Sequence, residues 1–197
     1  MMASMDRHRT ALSFDDVLLV PRYSEIMSRK EIQIKQHLKN VGTFSLPIVA
    51  SPMDTITGVQ MACAMSSCDG IAIVHRYNTI EEQAKMVKEV SSQGHHVGAA
   101  IGVGDDFVQR AKELVRVGVN FLCIDVAHGH HANVRYAIQV LRNTFGDHIH
   151  IMAGNVATLK AFNDLADWGA DSIRVGIGGG SICSTRIQTG HGMPTLQ

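Results

Sequence analysis

The sequence is poor in the features that mark membrane-bound, secreted and nucleic-acid-binding proteins. No apolar run among its 197 residues approaches the roughly 20 residues that a membrane-spanning helix needs. Met1–Thr10 is polar, whereas a secretory signal peptide carries an apolar core. The sequence contains 18 basic residues (lysine and arginine) and 18 acidic residues (aspartate and glutamate), so its formal net charge is zero. No block of basic residues occurs. These absences argue against a membrane span, a secretory leader and charge-driven binding to nucleic acid.

Cysteine is also sparse, and none of the four cysteines forms a CxxC pair or a zinc-finger spacing. Cys63 and Cys68 fall in a predicted helix and Cys123 in a predicted apolar strand, so we expect these three to be small core residues. This usage favours a reducing, cytoplasmic setting. Cys183 differs from the other three because it lies in a glycine-rich segment.

The length predicts a single domain with a substantial core. Residues 1–45 predict an N-terminal segment of loops and short strands, and a regular alternation of elements fills residues 46–197. Short apolar runs predict strands at 47–51, 70–76, 97–102, 121–126, 149–153 and 173–177. Amphipathic stretches predict helices at 58–67, from Thr79 onward, at 105–117, at 133–143 and at 159–168. Thr79 and Glu82 form a capping box, and Gly118 and Gly169 are placed to end helices in the left-handed conformation.

Strands that alternate with helices indicate βα units and a parallel sheet. Polar motifs follow the predicted strands, at Ser51–Thr55, His75–Arg76, Asp125–His130, Asn155 and Ser181–Thr185. A (β/α)8 barrel gathers its active site at this end of its strands. A doubly wound open sheet produces a similar pattern, so the periodicity alone leaves both architectures open.

The segment from Arg174 to Thr185 combines four glycines with a serine, a cysteine and a threonine. Glycine lets a loop turn sharply after a strand and present its backbone amides to an anion. A cysteine among such amides, near Arg174 and Arg186, is typical of a thiol with a depressed pKa, and the thiolate is a nucleophile. The segment therefore predicts a phosphate-holding loop with a nucleophile beside it, or alternatively a tight turn around a buried structural cysteine.

The run G-I-G-G-G-S-I-C-S-T within this segment resembles the active-site signature of the IMP dehydrogenase and GMP reductase family. Five further segments resemble family motifs and follow in the family's order: Leu12–Pro21, Ser51–Thr55, Val97–Gly104, Asp125–His130 and Met152–Val156. The resemblance covers nearly the whole chain and implies an α/β fold, the (β/α)8 TIM barrel, of which about six βα units are present here. We expect the last two units and the family's mobile flap to be absent from these residues, which would leave two open sheet edges. The short connection from Val90 to Val97 also predicts that the family's CBS regulatory domain is absent.

The resemblance implies a role for each matching residue. Cys183 matches the nucleophile that adds to the purine, and Thr185 matches the hydroxyl that positions water or ammonia, although a threonine here is also an ordinary helix cap. Residues implied to bind the substrate are Ser51, Met53, Asn155, Arg174, Gly180 and Ser181. Among these, Ser181 with the amides of Gly180 and Ile182 would hold the 5′-phosphate, and Asn155 would alternatively satisfy buried backbone groups.

The resemblance also implies a nicotinamide cofactor and a monovalent cation. Asp125 and Gly176 match positions on the cofactor side, and the carbonyl oxygens of Gly178, Gly180 and Cys183 match those that bind K⁺. His128, His130 and His131 lie close in sequence, but no acidic residue stands at a metal-ligand spacing from them.

Three functions remain open at the level of sequence. The motifs at Leu12–Pro21, Ser51–Thr55 and Asp125–His130 look more like the dehydrogenase, which oxidises IMP to XMP with NAD. The missing regulatory insert looks more like the reductase, which converts GMP to IMP and ammonia with NADPH. The third possibility is an inactive relative that binds a nucleotide or a partner. The family resemblance also implies a homotetramer.

Overall fold

The computed structural model describes residues 11–196, so the expectations for Met1–Thr10 and for Gln197 fall outside the described residues. The described chain begins with two short 3₁₀ turns, Phe14–Asp16 and Arg29–Glu31. An antiparallel hairpin follows, made of β1 (Gln36–Leu38) and β2 (Gly42–Phe44). This hairpin forms its own two-stranded sheet, separate from the main sheet.

The main sheet contains six parallel strands that pair in chain order, which is the order of a barrel. They are β3 (Val49–Ala50), β4 (Ile71–Val74), β5 (Gly98–Ile101), β6 (Phe121–Asp125), β7 (His150–Val156) and β8 (Ser172–Val175). Each predicted strand is thus present with slightly different bounds. The sheet curls into a half-barrel, and β3 and β8 are its edges within residues 11–196. The fold is therefore α/β, with six units of a (β/α)8 TIM barrel.

Helices connect successive strands and cover the outer face of the sheet. They are α1 (Val59–Ser67), α2 (Ile80–Ser91), α3 (Phe107–Arg116), α4 (Ala132–Phe145) and α5 (Leu159–Asp167), and a short helix, α6 (Thr185–Thr189), follows the last strand. The capping box predicted for α2 is confirmed, because the Glu82 amide donates to the Thr79 hydroxyl and the Thr79 amide donates to the Glu82 carboxylate. Gly118 and Gly169, which follow α3 and α5, have φ values of +94° and +108°, as the sequence predicts for these helix ends. No helix among residues 11–196 has both the length and the apolar character to cross a bilayer.

Alternating residues of each strand enter two different apolar clusters, because successive side chains of a strand point to opposite faces. In β4, Ala72 and Val74 pack outward against the helices, whereas Ile71 and Ile73 face the inside of the curled sheet. The inner cluster also contains Phe44 of the hairpin, so the N-terminal segment closes one end of the half-barrel.

The three expected core cysteines have three different environments. Cys123 is fully buried, as predicted, and Cys63 is partly buried against the outer cluster. Cys68 is exposed, so the prediction for it was wrong. The physical reason is its position at the C-terminal cap of α1, in the surface turn that leads into β4.

The hairpin docks at the amino ends of β7 and β8, opposite the end where the polar motifs lie. Lys39 forms ion pairs with Asp171 at 3.3 Å and with Asp147 at 3.7 Å. The Lys39 carbonyl also lies 2.9 Å from Nδ1 of His150, whose Nε2 lies 2.8 Å from the Ser172 hydroxyl. His150 is 1% exposed, so these two contacts satisfy a buried polar ring.

Candidate active site

A cavity of about 460 Å³ lies at the carboxyl ends of the parallel strands, where a barrel fold collects its polar loops. Its walls are Ser51, Pro52, Met53, Arg76, Tyr77, Asp125, Val126, Ala127, Asn155, Arg174, Gly176, Ile177, Gly178, Cys183 and Thr185. Nine of the eleven residues singled out from the sequence line this cavity. The two that do not are Gly180 and Ser181. The curled sheet therefore brings together residues that lie more than a hundred positions apart in sequence.

Cys183 is half-buried in the wall of this cavity, just before α6. Its amide donates to the Gly180 carbonyl at 3.1 Å, which fixes the turn that presents the thiol. Hydrogen bonds from the side chain and the backbone of Thr185 lower the pKa of the Cys183 thiol, and the nearby Arg186 lowers it further. A lowered pKa enlarges the thiolate fraction near neutral pH, and the thiolate is the reactive form.

Cys123 provides the contrast within the same region. This residue is fully buried inside the half-barrel, and burial raises the pKa of its thiol to about 12. The description of a buried, inert cysteine therefore fits Cys123, whereas Cys183 opens into the cavity. Burial and hydrogen bonding thus separate two thiols that the sequence alone presents as the same residue type.

Asp125 and Arg174 form an ion pair in the wall of the cavity, at the carboxyl ends of β6 and β8. Their side chains are 18% and 22% exposed, so most of the pair is removed from water. Nη1 of Arg174 also lies 3.9 Å from the Cys123 sulfur. The positive charge of Arg174 is therefore balanced by Asp125 within the protein.

Asn155 ties the end of β7 to the two loops beside it. Its side-chain amide donates to the Gly176 carbonyl at 2.9 Å, its backbone amide donates to Val126 at 3.0 Å, and its carbonyl accepts from Gly129 at 2.8 Å. The side chain of Asn155 thus satisfies a backbone carbonyl, which is the alternative role that the sequence left open. Asn155 also borders the cavity, so it shapes the site by holding the glycine loop in place.

The glycine loop folds back on the segment that follows α6. The amide of Met193 donates to the Ile177 carbonyl at 2.9 Å, and Gly178 has a φ of +72°. A Cβ atom at Gly178 would lie 3.2 Å from the Cα of Gly192, so both the conformation and the close approach favour glycine there.

Ser181 and Gly180 are exposed and do not line the cavity. The Ser181 carbonyl accepts from the Arg186 guanidinium at 2.9 Å. Thr185 is the first residue of α6, and Ser184 occupies the cap position. The alternative in which Thr185 caps this helix was therefore wrong, and its side chain is free to face the cavity and Cys183.

The three carbonyl groups that the family resemblance implies for K⁺ all belong to residues 178–183 of the glycine loop. The Gly180 carbonyl already accepts the Cys183 amide, but a carbonyl oxygen has two lone pairs and retains one for a cation. Backbone oxygens suit a hard cation, so the chemistry of Gly178, Gly180 and Cys183 fits K⁺. Residues 11–196 contain no group of three or more histidine, cysteine or acidic side chains arranged to hold a metal ion.

A second cavity, of about 400 Å³, adjoins the first and shares Ala127, Ile177 and Thr185 with it. His130 lines this second cavity, and its Nε2 lies 2.7 Å from an oxygen of Asp164. The same ring stacks on Trp168 at a centroid distance of 5.8 Å. The sequence did not indicate Asp164 as a partner, because this acid comes from α5 and is 34 residues away.

Arg76 and Tyr77 are cavity residues to which the sequence gave no role. The only signal was their position as polar residues directly after the apolar run of β4. This signal places them at the correct end of the sheet but does not say whether their side chains face the cavity.

Comparison with known proteins identifies the family of the chain. The family profile described as IMP dehydrogenase / GMP reductase domain matches residues 11–197. Inosine-5′-monophosphate dehydrogenase of Cryptosporidium parvum is 34% identical over 228 aligned residues, which cover 94% of this chain and 56% of the relative. GMP reductase of Serratia proteamaculans is 36% identical over 192 residues, which cover 94% of this chain and 55% of the relative. The chain thus spans about half the length of these curated relatives. Because the profile match extends over nearly all of a chain with this barrel-type fold, the chain belongs to the IMP dehydrogenase / GMP reductase family.

Proposed function

We propose that this chain carries the nucleotide site of a purine-nucleotide oxidoreductase that oxidises IMP to XMP with NAD through a covalent adduct at Cys183. The observation that carries this proposal is the position of Cys183, a thiol with a lowered pKa, in a cavity shared with eight other residues implied by the family motifs. The cavity volume of about 460 Å³ lies within the range of small-molecule sites.

In this reaction the Cys183 sulfur forms a bond to C2 of the purine. NAD, when bound, accepts the hydride that leaves C2. Thr185 then positions a water molecule for attack at the same carbon, which breaks the bond to sulfur and releases XMP and a proton. Asp125 and Arg174 border the space where the substrate and the cofactor meet, and Asn155 holds the loop that carries Cys183. These residues thus orient the reactants, and the thiol supplies the nucleophile.

GMP reductase is the second candidate, and the lengths of the alignments favour it. Alignments with GMP reductases run over 192 residues for 94% of this chain, so they need few gaps. The alignment with the dehydrogenase of Nitrosopumilus maritimus runs over 312 residues for 95% of the chain, so that relative contains long insertions. In the reductase reaction the Cys183 sulfur would add to C2 of GMP and ammonia would leave. NADPH, when bound, would supply a hydride to C2, which breaks the bond to sulfur and releases IMP.

The first test is covalent labelling of this chain with 6-chloropurine ribotide, read by intact mass. We expect one purine nucleotide per chain and no label on Cys183→Ser. Cys68→Ser is the matched control, because it removes an exposed thiol outside the cavity and should leave labelling unchanged. Labelling that persists in Cys183→Ser would refute the role of Cys183.

The second test separates the reactions. Reduction of NAD⁺ with IMP supports the dehydrogenase, whereas oxidation of NADPH with GMP and release of ammonia supports the reductase. Tight nucleotide binding without either turnover supports the third possibility, an inactive relative. We further propose stimulation by K⁺ at the glycine loop, a homotetramer and a cytoplasmic location. Four free thiols are in keeping with a reducing compartment.

A further inference from the structure

Arg76 is the charged residue of the cavity to which neither the family motifs nor the proposed reaction assigns a role. It follows β4, and its guanidinium lies on the side of the cavity formed by Asp125, where Nη2 donates to the Asp125 carbonyl at 3.2 Å. Its Nε is buried and has no hydrogen-bond partner among residues 11–196. An atom without accessible surface does not face an open cavity, so Nε is not the group presented to a ligand. Nη1 makes no hydrogen bond among residues 11–196 and is not buried, so Nη1 is the donor that can reach a ligand in the cavity.

The guanidinium is held in place by its surroundings. Its central carbon lies 5.5 Å from the centroid of the Tyr77 ring. A Cβ atom built on Gly102 would come within 3.3 Å of Nη1, so this glycine leaves room for the guanidinium on its other side. With the Asp125 carbonyl as a third contact, Arg76 is oriented before any ligand arrives, which reduces the entropy lost on binding.

The charges of the cavity also distinguish Arg76 from the other arginines nearby. Arg174 is paired with Asp125, and Arg186 lies outside the cavity with its guanidinium on the Ser181 carbonyl. Arg76 forms no ion pair with a carboxylate among the described residues, so its positive charge remains available to a bound anion. Gly180 and Ser181, the residues implied to hold phosphate, do not line the cavity at all.

We propose that Arg76 is an anion-binding residue of this cavity that donates its guanidinium N–H groups to a phosphate group of a bound nucleotide. This inference rests on the proposed function, because it assigns a ligand group to the same site. Arginine binds phosphate oxygens through charge-assisted hydrogen bonds, frequently two at once. The purine mononucleotide and the dinucleotide cofactor both present such a phosphate, and the experiment separates the two sources.

The test is a comparison of ligands with and without phosphate, by titration calorimetry, on wild type, Arg76→Gln and Arg76→Lys. The ligand pairs are IMP against inosine and NAD against nicotinamide riboside, with inorganic pyrophosphate as a fifth probe. We expect Arg76→Gln to weaken binding of one phosphate-bearing ligand by about tenfold to a hundredfold. Binding of its phosphate-free counterpart should not change. Arg76→Lys should retain part of the affinity, because it keeps the charge and loses the paired donors. Arg116→Gln is the matched control, since it removes the same charge from the exposed surface of α3.

Each outcome decides the inference. Loss of affinity for IMP alone identifies the substrate phosphate, and loss for NAD alone identifies the cofactor phosphate. If both nucleotides bind and neither is affected by Arg76→Gln, the inference is wrong while the proposed function stands. If wild type binds pyrophosphate through Arg76 but no nucleotide, the proposed function is wrong and the anion site stands. Equal losses for phosphate-bearing and phosphate-free ligands, or no binding of any probe, overturn the inference. If Arg76→Gln does not fold, the same comparison on Arg76→Lys decides it.

Discussion

Gly98 is the position where one added methyl group should disturb the fold most. It lies in β5, next to Phe121 of β6, and a Cβ atom built on Gly98 would lie 2.2 Å from Cζ of Phe121 and 2.5 Å from Cε1 and Cε2. Carbon atoms in contact prefer separations of about 3.5–4.0 Å, so an alanine here requires the ring or the strands to move. The ring has little freedom to move, because Phe121 is 0% exposed and its edge packs on the ring of His150 at a centroid distance of 6.0 Å.

The size of the effect follows from this overlap. Overpacking of a well-filled core costs about 1–3 kcal/mol, and an approach this close on rigid strands belongs at the upper end, about 3 kcal/mol. The loss of unfolded-state freedom on replacing glycine by alanine offsets only about 0.4–1 kcal/mol of it. A net loss of about 2–3 kcal/mol corresponds to a fall in Tm of roughly 4–12 °C for a chain of this length.

Urea unfolding of Gly98→Ala, followed by the fluorescence of Trp168, the only tryptophan, measures this loss. Gly104→Ala is the matched control, because the nearest heavy atom to its added methyl group would be Asp106 Oδ1 at 4.0 Å. The double variant Gly98→Ala with Phe121→Leu should recover part of the stability, and the coupling energy between the two sites reports the clash. A Gly98→Ala protein whose stability lies within about 0.5 kcal/mol of wild type would refute this reasoning.

Three further predictions concern titration and capping. Thr185→Val should raise the pKa of Cys183, because the variant lacks the hydroxyl whose hydrogen bond lowers that pKa. The pH midpoint of Cys183 alkylation by iodoacetamide should therefore move upward. An unchanged midpoint would contradict the contact between Thr185 and Cys183. Burial lowers the pKa of His150 below its ordinary value of 6.5, so the folded state binds a proton less readily than the unfolded state. The contribution of neutral His150 to the free energy of unfolding should therefore be complete above pH 6.5 and decrease as the pH falls toward the folded pKa. His150→Gln should lose this dependence of the free energy on pH. A variant with the same pH dependence as wild type would assign it to another group. Thr79→Ala removes the capping box of α2 and should cost about 0.5–2 kcal/mol in chemical unfolding, whereas no loss would mean that solvent replaces the cap.

Much of the fold follows from local patterns in the sequence. The six parallel strands, the capping box at Thr79 and the left-handed glycines after α3 and α5 were all predictable. Each depends on residues within a few positions of one another, so the pattern of apolar side chains and the chemistry of turns suffice. The same patterns place the polar motifs at the carboxyl ends of the strands, where nine of the predicted site residues line one cavity.

Only the tertiary structure decided how these residues contact one another. Asp125 neutralises Arg174 from 49 positions away. Asp164 of α5 contacts His130 in the loop before α4. Ser181 lies outside the cavity although Cys183, two residues later, lies inside it. None of these contacts leaves a local signature, because a contact depends on how strands and helices pack and on the direction of each side chain. The sequence by itself determined the alternating βα units, the parallel sheet and the glycine-rich loop that carries Cys183, whereas the strand order of a barrel is visible only in the structure. Packing of those units determined which charges are paired, which thiol is buried and which arginine remains available to an anion.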